Sequence, residues 1–184
     1  MNIVTEIKST LLIEQSRELW KSISQIPLEY HNGVAILEDY LTVPVNIPWL
    51  SGKVGCIIFE PNSTCPIHCD DHEGVSYNRS LNILVESDGN NHSTRYYKWK
   101  HGDWNPKEHQ ALYDKDPADL SLIFEFTVKN PTIFYNQLLH DVNNYGNKRR
   151  VMIMWLIEKS VTDKEIFDWL NDNQMPFTNI YENK

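Results

Sequence analysis

Residues 131–158 read PTIFYNQLLHDVNNYGNKRRVMIMWLIE. Three short β-prone runs, PTIFY, LLHDV and RVMIMWLIE, are separated by turn residues rich in Asn and Gly. In the last run side chains alternate between two faces, so Arg149, Val151, Ile153 and Trp155 share one, and Arg150, Met152, Met154 and Leu156 the other. A guanidinium at the mouth of an otherwise apolar strand face needs an anion, because an unpaired buried charge costs several kcal/mol. Its planar fork matches a carboxylate in two-point fashion. Arg149 is the candidate, with a salt bridge to a protein carboxylate or simple exposure beside Lys148 and Arg150 as the alternatives.

Runs of the same texture recur upstream: GVAIL, KVGCIIFE, TCPIHC, RSLNILVE, TRYYKWK and LSLIFEFTV. Roughly eight or nine strands at this spacing predict a mainly β sandwich or barrel. Helices are expected only at the ends. Between Thr10 and Gln25, Leu12, Leu19, Trp20 and Ile23 recur near a 3.6 period behind a Ser9 or Thr10 cap. Thr162 and Glu165 form a capping box ahead of Ile166, Phe167, Trp169 and Leu170, which predicts a short C-terminal helix. Residues 101–120 are longer than a hairpin loop and carry Trp104 and Tyr113, so they are either a cover over a site or a solvated insertion.

The 184 residues suit one domain. A formal charge of −8 argues against non-specific nucleic-acid binding and against an anionic membrane surface. MNIVTEIKST lacks the basic-then-apolar pattern of a secretory signal, and no apolar run is long enough to span a bilayer, so the expected location is the cytoplasm, or a host's cytoplasm if the chain is phage-encoded. Cys56, Cys65 and Cys69 fit reduced thiols better than a disulfide framework.

The stretch TCPIHCDDHEG, residues 64–74, gathers Cys65, His68, Cys69, Asp70, Asp71 and His72. On an extended strand His68 and Asp70 point the same way while Cys69 points opposite. An imidazole and a carboxylate suit Fe(II), Mn(II) or Zn(II), but a third ligand must come from elsewhere. His140, seventy residues after Asp70, is the candidate. A zinc site of Cys65, His68, Cys69 and His72 would need residues from opposite strand faces, and Pro66 does not supply the usual knuckle. Asp71 and His72 read as turn or solvent residues.

The order His68-x-Asp70, then His140, then Arg149 nine positions later at the head of a β-run, resembles the Fe(II)- and 2-oxoglutarate-dependent oxygenases, especially small prolyl-hydroxylase-type and phage-borne members. The likeness covers roughly residues 54–158; in that family the H-x-D follows the second core strand, the distal His lies on the seventh and the basic residue begins the eighth. The resemblance implies a double-stranded β-helix (jelly-roll, cupin-like) and a facial triad of His68, Asp70 and His140 holding Fe(II). It further implies 2-oxoglutarate as cosubstrate, with Arg149, preferred over the adjacent Arg150, on its far carboxylate. Dioxygen would then drive oxidative decarboxylation to succinate and CO2, coupled to hydroxylation of a substrate C–H bond. Asn82 would face the cosubstrate, or serve as a hydrogen-bonded strand residue. Trp155 would lie against the site, or in the core. Tyr96, Tyr97 and Trp99 are candidates to line the entrance, and Asn136 to steady a ligand. The substrate could be a residue in a protein or peptide, a small molecule such as a free amino acid, or a nucleobase. The alternatives are a cupin-like metalloprotein that does not use 2-oxoglutarate and a non-enzymatic binding module in which the polar cluster is structural.

Overall fold

The structure is a computed structural model and describes residues 2–37, 41–70, 77–102 and 117–182. Its elements in chain order are β1 (Asn2–Ile7), α1 (Thr10–Ile23), β2 (Val34–Ile36), β3 (Leu41–Thr42), β4 (Lys53–Phe59), β5 (Ser63–His68), β6 (Tyr77–Glu86), β7 (His92–Trp99), β8 (Leu120–Phe126), β9 (Thr132–Tyr135), β10 (His140–Asn144), β11 (Arg150–Glu158), α2 (Asp163–Asp172) and β12 (Phe177–Glu182). The mainly β expectation holds, with antiparallel pairing throughout.

A large sheet runs β12-β1-β9-β6-β11-β4-β2, with β3 also on β4, and faces a small sheet ordered β5-β10-β7-β8. Alternation along each strand divides the apolar residues into two cores. Ile57, Phe59, Phe134 and Met152 of the large sheet meet Cys65, Tyr96, Phe126 and Val142 of the small one. On the outer face of the large sheet, Leu81, Ile83, Val151, Ile153 and Trp155 pack under Leu12 and Ile23 of α1 and Ile166 and Leu170 of α2. Both described α-helices therefore lie on one side of the jelly-roll sandwich.

Both helices begin where the sequence predicts. Ser9 caps α1 by accepting from the Leu12 amide. Thr162 and Glu165 form the reciprocal capping box of α2. The chain ends depart from expectation, since β1 and β12 pair with each other and extend the large sheet beyond β9. Each is short, and the Thr5 hydroxyl meets Asn179 across a sequence separation of 174, so only the assembled sheet edge specifies them.

Cys56, Cys65 and Cys69 are free thiols. No described helix is long and apolar enough to cross a membrane. Residues 103–116, most of the segment considered as a cover, lie outside the described residues, as do Asp71 and His72.

Candidate metal centre

β5 and β10 are neighbours in the small sheet, and their register makes His68 and His140 direct cross-strand partners. Their ring centroids lie 4.4 Å apart. Asp70 lies just beyond the end of β5, where its amide donates to the Asn136 carbonyl at 2.8 Å, which ties this turn to the residue following β9. Its Oδ1 stands 3.4 Å from His68 Nε2. Ligand atoms of His68, Asp70 and His140 all lie within 4.8 Å of one another, so the three could hold one metal ion.

The two imidazoles are oriented alike. His68 Nδ1 is 2.7 Å from the Pro66 carbonyl and His140 Nδ1 is 2.7 Å from the Leu138 carbonyl. Each Nδ1–H therefore donates to the backbone two residues earlier, which leaves the Nε2 lone pair for a cation. Burial works against a charge on His68, but hydrogen bonds to Asp70 and Cys65 hold its pKa well above the ordinary imidazole value. His140, buried and facing the His68 charge, is pushed down to about 4. A proton on one ring opposes a proton on the other, and a cation between them would satisfy both.

The triad opens into a cavity of about 230 Å³ between the sheets, walled by Ile57, Phe134, Val142, Met152 and Met154 and edged by Tyr77, Ser80, Asn82 and Asn136. Asn82 therefore reaches the cavity, although its amide nitrogen donates to the Ser80 carbonyl and hydroxyl. Ser80 in turn donates to Asn136 Oδ1 at 3.2 Å. Tyr96 is buried against His140, with ring centroids 5.7 Å apart, whereas the Tyr97 hydroxyl turns to Asp141. Of the cavity residues, Tyr77 and Ser80 were missed by sequence reasoning. Their parity with Asn82 separates them, since Ser80 shares its face and Tyr77 does not, and a bulge in β6 restores Tyr77 to the rim.

Two expectations are corrected, and strand parity is the reason for both. Arg149 precedes β11, pairs with Glu86 at 2.8 Å, stacks over Trp20 and has 42% of its side chain exposed. Trp155 lies on the helix-facing side of β11, and its indole N–H donates to Ser16 of α1 at 3.0 Å. Neither reaches the cavity. The inward face of β11 carries Arg150, Met152 and Met154 instead. Arg150 is fully buried. Its guanidinium donates to the Ser93 and Asn143 carbonyls, approaches Met152 Sδ and stacks over Phe59, but among the described residues no carboxylate pairs with it and Nε has no partner. Burial alone pushes its pKa down to about 9, so it keeps its charge at neutral pH. Close by, the Thr94 hydroxyl is buried without a partner on the strand face shared with Val142.

No protein-family model matches the chain, and no curated protein matches it significantly. Solved structures do. A prolyl-4-hydroxylase from Pseudomonas putida superposes with a TM-score of 0.43 at 12% identity, over 81% of this chain and 85% of that one. An oxidoreductase of the 2OG-Fe(II) oxygenase family from Burkholderia pseudomallei superposes with a TM-score of 0.53 at 9% identity, over 84% of this chain and 85% of that one. The chain thus shares its fold with a structure of the 2OG-Fe(II) oxygenase family.

Proposed function

We propose that the protein is an Fe(II)- and 2-oxoglutarate-dependent dioxygenase that hydroxylates a C–H bond of its substrate. The observation that carries this reading is Arg150, a fully buried cation with no carboxylate partner among the described residues, on the same face of β11 as Met152 and Met154, which line the metal cavity. An uncompensated charge at such depth costs several kcal/mol, which an anionic ligand would offset. Arg150 touches β10 at Asn143, three residues from His140, or about 10 Å along the strand. That separation suits an extended five-carbon dicarboxylate with its 2-oxo acid end at the metal and its far carboxylate at the guanidinium.

The donor set fits the metal. Two neutral imidazoles and one carboxylate are the ligands non-haem Fe(II) takes when it must keep positions open for other ligands. When bound, Fe(II) with 2-oxoglutarate and dioxygen supplies the oxidising chemistry, giving hydroxylated substrate, succinate and CO2. The chain's own residues position and shield. Pro66 and Leu138 fix the imidazoles through Nδ1, and the Asn136 carbonyl holds the Asp70 backbone. Arg150 and the Thr94 hydroxyl anchor the far carboxylate, while Ile57, Val142, Met152 and Met154 exclude water from the space between.

The test is an anaerobic titration with Fe(II) and then 2-oxoglutarate, following the visible metal-to-ligand charge-transfer band that keto-acid chelation produces. A band that saturates at one equivalent of 2-oxoglutarate is expected. Metal binding without any band would assign the site to a cupin-like metalloprotein that does not use the keto acid.

A further inference from the structure

A second depression, of about 470 Å³, lies beside the metal cavity. It runs between the open edges of the two sheets, because β2 ends the large sheet and β5 ends the small one. Its walls are Ile26, Pro27 and Leu28 after α1, residues of β2, and Thr64, Cys65 and Pro66 of β5. Ile36 and Cys65 line both this groove and the metal cavity, so these two residues form the boundary between the two spaces.

We propose that this groove binds an extended polypeptide segment bearing a basic side chain, and that it delivers a neighbouring side chain past Ile36 and Cys65 to the metal cavity. The proposal rests on the dioxygenase reading above and names the substrate class. The first argument is backbone polarity. Flanking β2, the Leu37 amide donates to the Cys56 carbonyl and the Gly33 carbonyl accepts from the Glu60 amide, on the side facing β4. Antiparallel alternation then turns the N–H and C=O of Ile36 outward, and among the described residues β2 pairs with no strand on that side except at Val34, which bonds His31. An open strand edge of this kind is the template on which extended peptides add as a further strand. Across the groove, Pro66 has no N–H and its carbonyl is taken by His68, so β5 offers surface rather than pairing.

The second argument is the lining. Ile36 and Ile26 are 50% and 40% exposed at the groove, which suits the apolar side chains of a bound strand. Glu29 carries the formal charge among the described lining residues, so a Lys or Arg of the peptide is complementary there, and the protein's net charge of −8 acts in the same sense. A polyanionic nucleic-acid strand meets the wrong sign.

The experiment uses the full chain loaded anaerobically with Fe(II) and 2-oxoglutarate, and a pool of synthetic random-sequence dodecapeptides with one fixed central Lys. Enriched peptides are expected, with affinity falling about tenfold in Ile36→Pro, which removes the outward N–H and leaves the β4 ladder intact. In Glu29→Lys, an exposed change without folding consequence, the preference for Lys over Glu at the fixed position should shift toward Glu about threefold. No enrichment by a protein that shows the charge-transfer band would overturn the groove while sparing the dioxygenase reading. Peptide binding unaffected by both variants would also overturn it, as would succinate release stimulated by free amino acids or nucleosides and not by peptides. Peptide binding that responds to both variants in a protein without the band would retain the groove and remove the chemistry.

Discussion

His68 and His140 face each other as register partners on β5 and β10, each with Nδ1 held 2.7 Å from the carbonyl two residues before it. Metal binding should therefore depend on both rings and on Asp70. His68→Ala, Asp70→Ala and His140→Ala should each lose stoichiometric Fe(II), read by metal analysis after gel filtration, while circular dichroism stays that of a folded β protein. Saturating metal, at about a hundred times its Kd, should raise wild-type stability by about 2.7 kcal/mol and leave the variants unmoved. Full iron occupancy in any of the three would remove that residue from the ligand set.

The two adjacent arginines should behave oppositely. Arg150→Met should spare Fe(II) and weaken 2-oxoglutarate binding by about 2 to 5 kcal/mol, the loss expected for one partner of a buried charge pair. Because the same change removes an uncompensated buried charge, the cosubstrate-free variant should melt no lower than wild type. Arg149→Leu loses a half-exposed pair with Glu86, worth less than about 1 kcal/mol, and its stacking over Trp20, and should leave 2-oxoglutarate affinity unchanged. Calorimetric titration of both variants decides, and equal affinities would shift the anchor away from Arg150.

The difference between those arginines also marks where the sequence is legible. His68, Asp70 and His140 could be named because residue type, order and strand alternation all pointed to them. Parity between Arg149 and Arg150 could not be settled, because β11 is apolar on both faces: one packs against the small sheet and the other under α1 and α2. A strand patterned for two cores gives no sign of which core holds the site. The family resemblance alone places Trp155 against the site, since the strand pattern fits a core residue equally well. The groove beside β2 was invisible for another reason, since it is built from the free edges of strands that meet only in the folded sandwich.

Trp155 belongs to the helix-facing core, and its substitution should separate stability from binding. Trp155→Phe removes the indole donor to Ser16 Oγ, and both residues are buried. An unsatisfied buried hydroxyl with a small lost volume costs about 1 to 3 kcal/mol. Denaturant unfolding should report that loss, while Fe(II) and 2-oxoglutarate titrations superpose on wild type. A weakened charge-transfer band would instead connect this core to the cavity.

His92 predicts the acid limb of the metal-free protein. It is buried near the Arg150 end of the barrel with Nε2 on the Val128 carbonyl, and burial, aided by the Arg150 charge, lowers its pKa to about 4. In the unfolded chain the ring titrates near 6.5. Below about 6.5 the unfolded state therefore takes up a proton that the folded state refuses, so stability falls as pH drops through the window from 6.5 to 4 and is fully retained above it. The largest effect of this one group is about 3 kcal/mol. His92→Gln keeps a donor for Val128 and removes the titration. Its unfolding free energy, measured with chelator present to exclude metal, should fall less steeply than wild type over that window, and the two should run parallel above pH 7. Parallel curves throughout would mean that His92 accepts its proton in the folded protein as readily as in the unfolded chain.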